Sequence, residues 1–313
     1  MKRTVLTTFC QLLVGITLSL ASVFAGARAE AGEPLPVVAS FSILADLVQR
    51  VGGELVQVYA LVGPGSDAHV YQPTPADVKK LARARLVVIN GLGFEGWIDR
   101  LIQSSGYRGR LLVASDGVKP LGKTPAGHRK PHGHDHPADL DPHAWQDLAN
   151  ARHYVDNIAA ALGDVDPTNR AAYKGNAAAL QQQIDAMDRE IRSAFAVLPA
   201  ARRKVVSSHD AFAYFGQAYG IVFIAPVGVS TDAQPSAAAV AATIRQIRQE
   251  QIRAMFLENV SDPRLLERIS RESGALIGGT LYSDSLSGPG TPADSYLGMM
   301  RQNARTLAAA LAD

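Results

Sequence analysis

The sequence predicts an α/β protein of two βα lobes with parallel sheets, joined by one long backbone α-helix. Three observations predict it. Short β-branched runs alternate with helical periodicity from Pro36 onward, the alternation stops for one uninterrupted helical stretch, and it resumes after Pro199. With 47% apolar, 19% charged and 6% aromatic residues, the 313-residue chain is too apolar to be disordered and long enough for two ordinary domains.

The first 29 residues read as an export signal. Lys2 and Arg3 form its basic start, residues 5–24 are mostly apolar, and Ala27-Arg28-Ala29 offers small residues before a cleavage point. The apolar stretch is broken by Thr7, Thr8, Gln11, Thr17 and Ser19, which argues against a membrane anchor. Cys10 is the only cysteine; it lies inside this segment behind Thr-Thr-Phe, unlike the small-residue pattern that precedes a lipidated cysteine. Removing Lys2, Arg3 and Arg28 takes the formal charge from +2 to −1, and no Lys/Arg block remains that would suit nucleic acid. Without disulfides, an exported chain must stabilise itself by burial.

The N-terminal lobe is expected over 30–165, with strands at 37–40, 56–62, 86–90 and 111–114 and helices at 43–51, 74–84 and 97–104. The linking helix is expected over 166–199, with Asp166 as N-cap, Pro167 at the first helical position and Pro199 as its stop. Its apolar stripe is Leu180, Ile184, Met187, Ile191, Phe195 and Leu198, at spacings of three and four that keep one face buried. The C-terminal lobe is expected over 200–313, with strands at 204–208, 221–225, 254–258 and 276–280 and helices near Ala211 and at 236–250 and 263–273. A stretch of different material, 122–139, is rich in Pro, Gly and His and poor in apolar residues, and reads as a mobile loop.

Five of the eight histidines fall between His128 and His143. Outside that cluster His69 follows the second strand, His209 directly follows the 204–208 strand, and Asp284 comes soon after the 276–280 strand. Open parallel sheets bind ligands at the carboxyl ends of their strands, so these residues, with His143 in Asp-Pro-His-Ala-Trp, can make a metal site. On position alone, a metal site and a set of ordinary hydrogen-bonded side chains both stay open. In the histidine-rich loop, His132, His134 and His136 alternate and would share one side of an extended chain, with His128 nearby: an auxiliary metal loop or a tolerated polar insertion. Glu258, Asp141 and Asp210 are candidates to orient an imidazole from behind. Gly91-Leu92-Gly93-Phe94-Glu95-Gly96, with Asp116 beyond it, fits a dinucleotide fingerprint, but Glu95 would repel a pyrophosphate; a tight turn packed against Trp97 is the better reading.

The stretches 67–77 (DAHVYQPTPAD), 141–147 (DPHAWQD), 207–215 (SSHDAFAYF), 228–236 (GVSTDAQPS) and 281–287 (LYSDSLS) resemble, in order and over the whole mature chain, the zinc and manganese solute-binding proteins of bacterial ABC importers, the ZnuA/TroA-like family. The resemblance implies a metal site between the lobes with His69, His143, His209 and Asp284 as ligands, and no catalytic role. It also implies a monomer in the periplasm that hands its ion to ABC permease subunits driven by a cytoplasmic ATPase. Two departures, Ala68 where the family usually has Pro and Gln72 where it has Glu, bear on the first loop and remove no ligand. The third ligand resembles that of zinc binders, His209 where many manganese binders carry Glu, and imidazole suits Zn²⁺ better than Mn²⁺. Zn²⁺ is therefore the expected cargo, with Mn²⁺ or iron as the alternative. Four protein ligands close a tetrahedron that a catalytic zinc would keep open, which separates this reading from a secreted zinc hydrolase; the missing lipidation cysteine counts against a surface adhesin.

Overall fold

The computed structural model describes residues 33–122 and 140–312. The expected export segment and residues 123–139, with His128, His132, His134 and His136, lie outside them. The first half runs β1 (Leu35–Phe41), α1 (Ser42–Gly52), β2 (Val56–Val62), α2 (Pro75–Arg83), β3 (Leu86–Ile89), α3 (Ile98–Ser105) and β4 (Arg110–Val113). Two helices follow, α4 (Leu148–Val165) and α5 (Arg170–Ala196). The second half runs β5 (Lys204–Val206), α6 (Ala213–Tyr219), β6 (Val222–Ile224), α7 (Ala237–Gln249), β7 (Ala254–Glu258), α8 (Arg264–Ser273), β8 (Leu276–Leu281) and α9 (Tyr296–Ala312).

Both sheets are four-stranded and parallel, ordered β2-β1-β3-β4 and β6-β5-β7-β8. The repeated order puts a reversal beside β1 in one sheet and beside β5 in the other, the place where an open sheet leaves a crevice at its strand ends. β3 is buried along its whole length, as a central parallel strand covered on both faces should be.

The long helix differs from expectation at its start. Asp166 does not cap it; its carboxylate instead accepts from Asn169 Nδ2 and Tyr173 Oη, both at 2.7 Å, and 167–169 forms a 3₁₀ turn before α5 begins at Arg170. Its 27 residues span roughly 40 Å at 1.5 Å each. Leu180, Ile184, Met187, Ile191 and Phe195 face inward as the stripe predicted, and Phe195 packs against Phe215 of α6.

Two helices went unanticipated. α4 buries Leu148, Ala151, Tyr154, Val155, Ile158 and Leu162, and α9 buries Leu297, Met299, Met300, Leu307 and Leu311; both carry alanine-rich, weakly contrasted faces. They change the mechanics. α9 packs on β8, α5 and α1, and Tyr296 at its start donates its backbone N–H to Asp46 of α1 and its hydroxyl to the Trp145 carbonyl. The halves are thus tied by two long helices and not one, which restricts hinge motion. Solution scattering of the metal-free and metal-loaded protein should give radii of gyration within about 1 Å of each other, the signature of a small rigid-body adjustment; a change of several Å would show that these ties yield.

Candidate metal centre

Three of the four candidate side chains, His69, His209 and Asp284, follow strand ends, and His143 stands in a turn well beyond β4. His69 lies in the turn after β2. Its N–H donates to Asp67 Oδ1 (2.9 Å), and Trp97 Nε1 holds the preceding Ala68 carbonyl (2.8 Å). His143 stands at the start of the 144–146 turn; Asn90 Nδ2 grips the Pro142 carbonyl at 2.9 Å, and Tyr154 Oη in turn fixes Asn90 Oδ1 at 2.6 Å. His209 follows β5 and bridges to Val227. Asp284 follows β8 in a loop clamped from the first half: Trp145 Nε1 and Gln146 Nε2 both donate to the Ser283 carbonyl (3.0 and 2.8 Å), and the Leu286 N–H donates to Ser42 Oγ (3.0 Å). One short segment therefore delivers His143 and also holds the loop that delivers Asp284.

The four side chains converge, with one ligand atom from each lying within 4.8 Å of all the others. Asp284 Oδ2 stands 3.4 Å from His69 Nε2 and 3.1 Å from His209 Nε2, and Oδ1 stands 3.3 Å from His143 Nε2. None of these contacts has hydrogen-bond alignment: the three Nε2 atoms and both Asp284 oxygens are buried without a hydrogen-bond partner. Buried polar atoms that face one another unsatisfied are costly unless something sits between them. The three carboxylate–imidazole separations lie close to the edge of a tetrahedron, about 3.3 Å for metal–ligand bonds near 2.0 Å. The residues fit a divalent cation.

Two of the three imidazoles are oriented from behind. Asp141 Oδ1 accepts from both the His143 N–H (2.9 Å) and its Nδ1 (2.7 Å). Glu258, at the end of β7, accepts from the His209 N–H (2.9 Å) and places Oε2 2.6 Å from Nδ1, off the line of an ideal bond. Asp210 does not share this role. Its N–H donates to the Gly228 carbonyl, and its carboxyl makes no polar contact with an imidazole among the described residues.

Burial alone would lower the His143 pKa, but the Asp284 and Asp141 carboxylates outweigh it and push it up to about 9. His209 is likewise depressed by burial yet raised well above its ordinary value by Glu258 and Asp284. Burial would raise the Asp284 carboxyl, but His209 and His143 hold it well below the usual range.

Phe94, which sequence reasoning assigned no role, forms an aromatic wall with its ring 4.7 Å from His69, 6.1 Å from His143 and 4.9 Å from Trp145. The glycine motif exists to place it: Gly91, Leu92 and Gly93 all take positive φ (84°, 54° and 78°), a tight turn that glycine makes affordable. Glu95 accepts from Ser40 Oγ and from the Asn90 and Gly91 N–H groups at 2.6, 2.6 and 3.1 Å, so the donors a pyrophosphate would need are already occupied.

Residues 37–310 match the family described as "Zinc-uptake complex component A periplasmic". The chain is 31% identical to the manganese ABC transporter substrate-binding lipoprotein PsaA of Streptococcus pneumoniae, over 98% of this chain and 97% of that one. It is also 31% identical to the iron-binding protein YfeA of Yersinia pestis, over 93% and 91%. Its fold matches the periplasmic zinc-binding protein TroA of Treponema pallidum with a TM-score of 0.80 and 31% identity, over 90% of this chain and 99% of that one. With a family match across nearly the whole described chain, this protein belongs to the family of substrate-binding components of metal ABC transporters.

Proposed function

We propose that the protein captures Zn²⁺ through His69, His143, His209 and Asp284 in the periplasm and delivers it to its ABC permease. The observation that carries the reading is the convergence of three unpartnered imidazole Nε2 atoms on one buried carboxylate at tetrahedral-edge distances. Three nitrogen donors favour zinc over manganese in both ligand softness and intrinsic affinity order. Residues 30–165 and 200–313 act as the two lobes, 166–199 as their link and 1–29 as the export signal. Among the described residues no helix is long and apolar enough to cross a membrane.

A second reading, Mn²⁺ or iron, has its own support. Both oxygens of Asp284 face the centre, so a bidentate carboxylate and a fifth bond are within reach of a larger ion. Competitive titration of Zn²⁺ and Mn²⁺ against a chelator of known affinity separates the two. Zinc should bind tightly at one central site and manganese much more weakly, and deletion of 129–137 should leave that site's affinity unchanged. His209→Ala should abolish tight binding, and Glu258→Gln should weaken it about 10- to 100-fold by releasing the ring it orients. Manganese preference would keep the transport role and overturn the zinc reading.

Loading should also stabilise the fold by about 4 kcal/mol at a free metal concentration a thousandfold above Kd, visible as a raised Tm.

The charge ledger sets the pH dependence. The carboxylates facing the site raise His143 and His209, so protons on these imidazoles balance the site's negative charge much as a divalent ion would. A raised imidazole pKa stabilises the metal-free fold fully below the unfolded value near 6.5 and loses that contribution as pH climbs through about 9. Asp284, depressed, contributes above its unfolded value and fails only in strong acid. Metal-free protein should therefore melt at progressively lower temperature from pH 6.5 to 9, while the loaded protein escapes that loss. Zinc affinity should rise over the same interval, because fewer protons remain to be displaced. This moves the weakening of metal capture well above the free-histidine range. Thermal melts and titrations at three pH values check both trends, and opposite slopes would overturn the ledger.

A further inference from the structure

The 228–236 motif contributes no ligand, yet it reaches across the mouth of the site. Thr231 Oγ1 donates to Asp67 Oδ2 at 2.6 Å, linking residues 164 positions apart. The other oxygen of the same carboxylate accepts the His69 N–H at 2.9 Å, so a single carboxylate joins the second half's loop to the backbone of the first candidate ligand. Among the described residues, no other hydrogen bond joins 225–236 to the first half. Both side chains line a cleft of about 440 Å³ that opens onto His209, together with Ser208, Gln234 and Ser261.

The remaining contacts show why this bond matters. Asp284 is anchored to the first half through Trp145, Gln146 and Ser42, and His143 through Asn90. His209 takes its backbone partner from the second half, through Glu258, whereas the loop carrying Asp284 is held from both halves, by Asn259 Nδ2 on the Ser285 carbonyl as well. The Thr231–Asp67 bond adds to these ties the one that runs from the 225–236 segment to the backbone of His69, at the mouth of the cleft.

We propose that Thr231 is a positioning residue: its bond to Asp67 is a latch across the cleft that holds His69 in place and sets how long the captured ion stays. The proposal rests on the metal-capture reading above. Losing the donor frees the Asp67 carboxylate to turn, loosens the His69 backbone and removes a barrier to opening, whereas the ligand set is untouched.

The test compares the full chain with Thr231→Val, which keeps the shape and drops the hydroxyl, and Thr231→Ser, which keeps the hydroxyl. Zn²⁺-loaded proteins are mixed with excess chromogenic chelator and the release rate is read by stopped flow. Thr231→Val should release zinc about tenfold faster, the scale expected for losing a hydrogen bond to a charged group, with Thr231→Ser within about twofold of the parent. Hydrogen exchange of residues 63–72 in the metal-free protein gives a readout that needs no metal: Thr231→Val should exchange faster there, and Thr231→Ser should not. A Thr231→Val release rate within twofold of the parent, or a Thr231→Ser as fast as Thr231→Val, overturns the latch. If the parent holds neither zinc nor manganese against the chelator, the capture reading falls, and exchange alone then decides: unchanged protection of 63–72 in Thr231→Val overturns the latch independently.

Discussion

Three carboxylates and three imidazoles buried around one point are the constraint on which the rest of the structure depends. Asp284, Asp141 and Glu258 are each at most 3% exposed, too deep to carry their charge in isolation. Their charge must be balanced from within, and the imidazoles provide the means: protonated they offset the carboxylates, neutral they offer lone pairs to a cation that offsets them instead. A buried site of this kind is stable in two forms and poorly stable in any other. That property suits a protein that must both hold an ion and give it up.

The fold meets the constraint by holding His143 and His209 through backbone and ring partners together. Asp141 and Glu258 each receive a backbone N–H of the histidine they face as well as approaching its ring, so ring position and chain path are fixed together. Trp145 and Gln146 extend the coupling to Asp284. The aromatic wall of Phe41, Phe94 and Trp145 behind His69 and His143 excludes water on that side and strengthens every electrostatic contact within. Apart from its share of the main core, the second half keeps a separate small one of Val206, Val240, Ile244, Ile247, Met255, Leu266 and Ile269.

Local features were legible in the sequence, and contacts between distant segments were not. β2 and β7 run over the expected residues, short apolar runs of strand length set between helical patterns. The stripe of α5 was equally plain, whereas α4 and α9 hide their periodicity because alanine fills so many of their inward positions. His143 could be found through its Asp-Pro-His-Ala-Trp motif, and His69, His209 and Asp284 because ligand-binding residues gather at strand ends. Glu258 was visible for the same reason. Asp210 neighbours His209 in sequence, but its carboxyl makes no hydrogen bond to an imidazole among the described residues. Nothing local marked Trp145 and Gln146, whose partner carbonyl is more than a hundred residues away, or Thr231 and Asp67.

Relatives at the same 31% identity are named for manganese, iron and zinc, so the choice of ion cannot reside in the fold. Ligand identity narrows it through His209, since a third imidazole in place of a carboxylate favours the ion that binds nitrogen more strongly. The outer carboxylates act in the same direction. An imidazole whose Nδ1 faces a carboxylate is a stronger donor at Nε2, which benefits an ion forming short, directional bonds more than one held by charge alone. Asp284 acts the other way, because both its oxygens face the centre and can serve a larger coordination shell. Its loop is clamped at Ser283 by two donors and at Leu286 by Ser42, so it cannot easily turn to offer one oxygen or two. Selectivity in this protein is thus a contest between nitrogen donors, two of them oriented by a carboxylate from behind, and one fixed carboxylate with both oxygens facing the centre.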